Sequence, residues 1–187
     1  MTEEISSHLA ELAVQARGGN RRAFTELMAR TKGPLYRLVR RHVGNDDDAS
    51  DIIQESFIAA WNALDRYDRN RPLMAWLRAI ALNKCRDHGR RKAVRDRLRK
   101  LFALEAPRLE EAPVMPAEDV EAVKLRRLDA AIADLPVFYK EPLLLTTVSG
   151  LSHKETALQL GGTPKAIEMR IRRARQKLQE IMSRSSE

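Results

Sequence analysis

The feature that most constrains the fold is the stretch LSHKETALQLGGTPKAIEMRIRRARQKL, from Leu151 to Leu178. Ser152 and Glu155 have the S-x-x-E spacing of a capping box, which fixes a helix start. Gly161-Gly162 permits a tight turn, because glycine adopts backbone conformations that other residues avoid. Thr163-Pro164 then predicts an N-cap followed by proline at the first helical position. The stretch therefore predicts two short helices joined by a tight turn.

The second of these helices has one apolar side and one basic side. The apolar stripe predicted to be buried consists of Ile167, Ile171, Ala174, Leu178 and Ile181. Ala157, in the first helix, is small, as the close approach of two helices requires. This pattern is typical of a helix-turn-helix, whose second helix enters the DNA major groove. The alternative is a plain helical hairpin with a solvated basic face.

If the helix enters DNA, its polar side chains divide into two groups. We expect four to reach base edges, and Glu168 among them could accept a hydrogen bond from a cytosine amino group. The others are placed to hold phosphates, which position a protein without reading sequence. The base-reaching set is Lys165, Glu168, Met169 and Arg172, and the phosphate set is Arg170, Arg173 and Arg175.

The rest of the chain also has helical periodicity, and no period-2 strand pattern occurs. One stripe of apolar residues at helical spacing ends at Gly18-Gly19. The next stripe runs from Phe24 to Val43, with a break or kink predicted at Gly33-Pro34. A strongly amphipathic helix follows over 49–64. A further helix begins near Leu73 and is expected to end within a run of basic residues. The sequence therefore predicts an all-α protein.

A change of composition divides the chain into two small helical domains. Residues 101–122 are acidic, contain three prolines and lack apolar periodicity, which predicts a flexible linker. The domains are thus 1–100 and 123–187. In the second, residues 136–148 form a helix that Pro142 should bend, because proline removes an amide donor.

The 187-residue chain carries a net charge of +8, and the basic residues are concentrated in two segments. One lies around residues 90–100 and the other around 165–177, with the acidic segment between them. A solvated helix face explains any single run, but two runs suggest two surfaces that face polyanions.

Several classes of function are disfavoured. The single cysteine, Cys85, excludes an intrachain disulfide, and Cys85 with His88 offers too few ligands for a metal site, so we expect no metal and no cofactor. The histidines are scattered and no nucleotide or hydrolase motif occurs, which argues against an enzyme. Aromatic residues are too few for an RNA-stacking surface. We expect no membrane insertion and no signal peptide, and therefore a cytoplasmic protein.

A polar patch on the 49–64 helix carries a family resemblance. Asp51, Gln54 and Glu55 lie off its apolar stripe, in the sequence DIIQESFIAAW. It is followed by the basic loop DRYDRNRP at residues 65–72, the segment PLMAWLRAIALNKCRDHGRRK and the helix-turn-helix. In this order, these features resemble those of bacterial RNA polymerase sigma factors of the extracytoplasmic function (ECF) type. The resemblance covers the chain from about Gly19 to Leu178. It implies that the first domain is sigma region 2 and the second is sigma region 4.

The resemblance implies a role for each segment. The patch of Asp51, Gln54 and Glu55 would bind the clamp helices of the largest polymerase subunit, and the beta flap would be a second contact. The next loop and helix would open the promoter −10 element and capture an unstacked base, which needs polar partners for its edges and cations for its backbone. The −10 set is Asp68, Arg69, Asn70 and Arg71 in the loop, Trp76 as a buttress, Asn83 near the base, and Arg78, Arg86, Arg90 and Arg91 as cations.

The helix-turn-helix would read the −35 element, and the resemblance also implies an anti-sigma factor that covers polymerase-facing surfaces. Two positions depart from the family's pattern. Glu168 stands where a basic residue is usual, which changes the chemistry in the groove, and Pro142 replaces an apolar residue. The alternative is a free-standing helix-turn-helix regulator. Such a protein would bind its operator alone and would ignore changes at Asp51, Gln54 and Glu55.

Overall fold

A computed structural model describes residues 2–102 and 120–184, and this part of the chain is helical and contains no strand. The all-α prediction is therefore confirmed. The helices are α1 (Thr2–Arg17), α2 (Arg21–Val43), α3 (Asp46–Asn62), α4 (Leu73–Phe102), α5 (Val120–Asp134), α6 (Val137–Thr147), α7 (His153–Leu160) and α8 (Pro164–Arg184), with a 3-10 turn at Leu64–Arg66.

Helices α1 to α4 form a bundle around one apolar core. Side-chain caps fix the starts of two of them: Asn20 accepts from the amide of Ala23, and Asn45 accepts from the amide of Asp48. Three aspartates in the first turn of α3 favour this start through the helix dipole. The core side chains come from every helix of the bundle and include Leu12, Leu27, Leu35, Ile52, Ile53, Phe57, Leu73 and Leu77.

Two predictions about helix ends in this half need correction. No break occurs at Gly33-Pro34, where a kink stays a prediction: helix α2 is continuous, because Leu35, Leu38 and Val39 are buried on its core side and Pro34 faces solvent. Helix α4 continues through the basic run to Phe102, so the cations extend a helix instead of ending it.

Helices α5 to α8 form the second helical unit. The predicted capping box at Ser152 and Glu155 is present, and the Thr163 hydroxyl accepts from the amide of Ala166 as an N-cap. Of the stripe predicted for α8, Ile167, Ile171 and Ala174 are buried in the core of this unit. Ile181, further along α8, is 39% exposed, so its predicted burial is wrong.

The predicted linker spans residues 101–122, and most of it, 103–119, lies outside the described residues. Its two edges are helical. Residues 101–102 end α4, and 120–122 begin α5. The helices therefore extend a few residues further into this segment than the composition predicted.

The two helical units pack against each other, a contact that the predicted flexible linker did not imply. A separate apolar cluster joins Leu38 of α2 and Leu82 of α4 to Leu144 and Leu145 of α6, all of them at most 1% exposed. Gly44, at the end of α2, has a positive φ of 90°, and a Cβ there would lie 2.8 Å from the Cβ of Ala133. The units therefore share a close, well-buried contact.

Candidate nucleic-acid interface

The polar patch predicted on α3 is present as a continuous surface. Asp51, Gln54 and Glu55 are exposed, while Ile52 and Ile53 between them are buried in the core. The amphipathic repeat of the helix thus separates the two sets of side chains. Glu55 Oε2 lies 3.2 Å from Nζ of Lys84 on α4, which joins the patch to the neighbouring helix.

The loop that precedes α4 is held in a compact turn. The Asp68 carboxylate accepts from the amide of Asn70 at 2.9 Å, and the Asp68 carbonyl accepts from the amide of Arg71 at 3.0 Å. The hydroxyl of Tyr67 donates to the carbonyl of Arg71 at 2.9 Å. The side chains of residues 68–71 are all exposed. The fold therefore fixes the backbone of the loop and leaves its side chains available.

Trp76, at the start of α4, packs against Tyr67, the residue that precedes the loop. Its ring lies 5.2 Å from that of Tyr67, between centroids, and it is partly buried against the core. The sequence analysis did not single out Tyr67, which contacts both this ring and the loop backbone. Its position as an aromatic residue next to a polar loop was the available signal. Asn83, seven positions after Trp76 on the same helix, is exposed, and its Oδ1 accepts a hydrogen bond from Nη1 of Arg86 at 2.8 Å.

The four arginines predicted to hold DNA along α4 divide into two pairs. Arg90 and Arg91 are exposed, and Arg90 also pairs with Asp87 in the preceding turn. Arg78 is partly buried, and burial lowers its pKa, with Glu155 of α7 acting in the opposite direction. Arg86 donates from Nε to Oε1 of Glu141 at 2.7 Å and from Nη2 to Oε2. Two of the four cations thus face the second helical unit.

On α8, the predicted base-reaching side chains share an exposed surface. Lys165, Glu168, Met169 and Arg172 are exposed, and so are Arg173 and Arg175 of the phosphate set. Arg170 differs, because its guanidinium carbon lies 3.9 Å from the ring centroid of Phe138 on α6. Arg170 therefore contributes to packing as well as to the basic surface.

Sequence reasoning missed a buried group of titratable residues between the two units. His42 and Glu141 are each 4% exposed, and Lys140 is 6% exposed. Lys140 Nζ donates to the carbonyl of His42 at 3.2 Å and also to that of Ala133. The charged pair within the apolar run VFYKEPLLL was the available signal, since such residues are rarely buried unless paired.

The possible metal pair of Cys85 and His88 does not form a metal site in the structure. Cys85 is buried, and burial raises the pKa of its thiol to about 12. His88 Nε2 instead lies 3.2 Å from Oδ2 of Asp48. Within 2–102 and 120–184, no group of three or more histidine, cysteine or acidic side chains is arranged to hold a metal ion.

No helix in the described residues is long and apolar enough to span a membrane.

The candidate surfaces are the patch of Asp51, Gln54 and Glu55, the ordered polar loop of residues 68–71 with its neighbouring aromatic residues, and the basic helices α4 and α8.

Comparison with known proteins identifies the family of the chain. Sigma-70 region 2 matches residues 27–95, and Sigma-70, region 4 matches residues 125–178. The RNA polymerase sigma factor CnrH of Cupriavidus metallidurans is 39% identical, over 94% of this chain and 95% of its own length. The ECF RNA polymerase sigma factor SigD of Mycobacterium tuberculosis is 34% identical, over 92% of this chain and 82% of its own.

Solved structures agree with this result. The structure of CnrH in complex with the cytosolic domain of CnrY matches with a TM-score of 0.67 and 34% identity, over 94% of this chain and 97% of that one. The sigma factor RpoE of Bartonella quintana, in complex with the anti-sigma factor NepR, has the same fold with a TM-score of 0.64 at 22% identity. The chain belongs to the sigma-70 family of RNA polymerase sigma factors, and within it to the extracytoplasmic function type.

Proposed function

We propose that this sigma factor binds core RNA polymerase through Asp51, Gln54 and Glu55, with 1–100 as the polymerase-binding and −10 domain, 101–122 as the linker and 123–187 as the −35 domain. The observation that carries the proposal is the separation of side chains on α3: the three polar residues are exposed while Ile52 and Ile53 are buried. A polar surface on a well-packed helix is a rigid docking site. The clamp helices of the largest polymerase subunit are its partner.

The promoter would be read in two forms. Arg172 and its neighbours on α8 would read the −35 element as duplex, with the exposed N-terminal turns in the major groove. The ordered loop of residues 68–71 and Asn83 would bind the opened −10 strand, and the cations of α4 would hold its phosphates. Trp76 supports this surface from beneath and is not required to contact a base.

We also propose that an anti-sigma factor controls the protein in the cytoplasm, and that the protein is not an enzyme. RpoE was solved in a complex with the anti-sigma factor NepR, and CnrH in a complex with the cytosolic domain of CnrY. The end of α4 offers a surface for a partner helix, because Val94, Leu98 and Phe102 recur at intervals of four and are 55%, 47% and 84% exposed. Exposed apolar stripes of this kind commonly mark interaction sites.

The test is in-vitro transcription with core polymerase on a library of random promoters. The purified chain should confer initiation at a defined subset, with shared −35 and −10 sequences. The triple change Asp51→Ala, Gln54→Ala, Glu55→Ala should abolish this initiation. A free-standing regulator would instead select duplex sites without polymerase, and the triple change would leave that selection intact.

A further inference from the structure

We propose that the cleft between α4 and the corner that joins α5 to α6 binds a small organic phosphate, whose phosphate group is held by Lys92 and Lys140. Both lysines line this cleft, Lys92 from α4 and Lys140 from α6. The proposal goes beyond the proposed function and does not depend on it, because it uses no contact with polymerase or promoter DNA.

The cleft is open because the side chains that line it from the two long helices are small. Gly89 and Ala93 line it from α4, and Ala130 and Ala133 line it from α5. A Cβ at Gly89 would meet no atom within 4 Å outside its own stretch of helix. The cleft has a volume of about 860 Å³. This value lies within the range of about 300–1,000 Å³ that is usual for small-molecule sites.

The lining of the cleft carries more positive than negative charge. It contains four lysine or arginine side chains and two aspartates. Two of the cations are engaged already, since Arg86 and Arg90 each pair with a carboxylate. The cations left for a ligand are therefore Lys92 and Lys140.

Lys140 is a buried ammonium group whose hydrogen-bond partners are neutral. Its side chain is 6% exposed, and Nζ donates to the carbonyl of His42 at 3.2 Å and to that of Ala133. Burial lowers the pKa of Lys140, while the carboxylates of Asp134 and Glu141 raise it through space. A buried charge is costly unless a counter-charge contacts it. An anion in the cleft would supply that contact, because an ammonium group has a third N–H to donate.

Lys92 makes a dianion a better match for this cleft than a monoanion. It is exposed, and its charge is close enough to lower the pKa of Lys140. An anion between two cations attracts both of them and offsets their mutual repulsion. A phosphate monoester carries up to two negative charges near neutral pH and offers three acceptor oxygens, whereas a carboxylate carries a single charge.

The corner between α5 and α6 gives the cleft an apolar wall. Leu135, Pro136 and Val137 line this side, together with Val43 from the end of α2. Val137 is 39% exposed, so its side chain is available for contact. An apolar group attached to the phosphate would lose water-exposed surface against this wall. The cleft therefore fits an organic phosphate better than inorganic phosphate.

The experiment titrates the full chain with phenyl phosphate, inorganic phosphate and benzoate, in a buffer that contains no other phosphate. Amide NMR spectra give the affinity and locate the binding site. Phenyl phosphate should bind about tenfold more tightly than inorganic phosphate, because its ring is buried on the apolar wall. It should also bind more tightly than benzoate, which carries one charge. The amides that shift should lie around Gly89 to Ala93 and Ala133 to Val137.

Three variants test the cleft itself, and circular dichroism checks that each is folded. Lys92→Gln and Lys140→Met each remove one cation and should weaken phenyl phosphate binding about tenfold. Gly89→Leu keeps every charge and fills the space, so it should weaken binding by at least as much. Two controls are matched to these changes. Lys154→Gln removes an exposed charge from α7, and Gly33→Leu replaces an exposed glycine within α2; neither should change the affinity.

Should Lys140→Met fail to fold, Lys92→Gln and Gly89→Leu decide the question. Amide shifts confined to α8 would show that the probe binds a basic helix surface without using the cleft, and would overturn the proposal. Equal losses for Lys92→Gln and Lys154→Gln, or phenyl phosphate binding no tighter than inorganic phosphate, would also overturn it.

Discussion

His42 Nε2 of α2 lies 3.7 Å from Oε1 of Glu141 on α6, and both side chains are almost fully buried. Burial lowers the pKa of His42, which outweighs the opposing effect of Glu141; Lys140 and Arg86 also lower it. The histidine is therefore neutral in the folded protein near neutral pH. A titratable group thus lies at the junction of the two helical units.

The stability of the protein should decrease as the pH falls from 7.5 to 5.5. An unfolded histidine titrates near pH 6.5, and the folded pKa of His42 is lower, so the unfolded state binds more protons in this range. Denaturant midpoints measured across the range should show the loss.

The variant His42→Gln should remove most of this pH dependence, while His153→Gln, at an exposed position, should keep it. Glu141 does not interfere. Burial raises its pKa, but the neighbouring His42 and the hydrogen bonds from Arg86 lower it below the ordinary value, so its contribution is lost only below about pH 4.5. A wild-type midpoint that is constant between pH 7.5 and 5.5 would contradict the prediction.

Single alanine changes at Asp51, Gln54 and Glu55 should weaken binding to core polymerase by about 1–2 kcal/mol each, as central residues of an interface do. Titration of labelled protein with core enzyme measures this loss. Glu26→Gln is the control: it removes an exposed carboxylate that pairs with Arg30, and surface pairs contribute about 0–1 kcal/mol. Equal losses of polymerase affinity for the changes at Glu26 and Glu55 would argue against a specific polymerase-binding patch on α3.

Arg172→Ala and Arg175→Ala should have different effects on duplex binding, although both side chains are exposed on α8. Loss of a base contact at Arg172 should cost about 1–3 kcal/mol for one class of −35 sequence. Loss of a phosphate contact at Arg175 should weaken all sequences and lower the salt slope by about one. Affinities on a panel of duplexes at several salt concentrations test this, and identical responses would contradict the division of the helix.

Asn83→Ala should impair strand opening more than initial binding, because the exposed amide is expected to contact a captured base. With core polymerase, the reactivity of −10 thymines to permanganate should fall, while closed-complex affinity stays within a factor of about two, equivalent to about 0.4 kcal/mol. Gln176→Ala, on the exposed side of α8, is a control of similar size. Parallel losses in binding and opening would place Asn83 outside the captured-base site.

Arg170→Ala should destabilise the chain by about 0.5–1 kcal/mol, because its guanidinium lies over the Phe138 ring. Arg173→Ala removes the same charge from an exposed position and should have a smaller effect. A double-mutant cycle of Arg170→Ala with Phe138→Leu, followed by denaturant unfolding, isolates the pair. Additive effects of the two changes would show that the contact contributes no stability.

Local sequence patterns predicted most of the helices and the exposed polar surfaces. The capping box at Ser152 and Glu155, the N-cap at Thr163 and the polar face of Asp51, Gln54 and Glu55 follow from local rules, because a cap or a helical period involves residues only a few positions apart. The same rules misjudged the helix through Pro34, since they do not include the packing that stabilises it.

The availability of each arginine to a partner depends on the packing of helices that are distant in the sequence. Arg86 and Arg90 look alike in the sequence, one helical turn apart, yet Arg86 pairs with Glu141, 55 positions away, and Arg90 is exposed. Burial of His42 and the stacking of Arg170 on Phe138 also result from contacts between different helices. These environments depend on which helices meet across the molecule, and a charge pattern read along the chain carries no information about that contact.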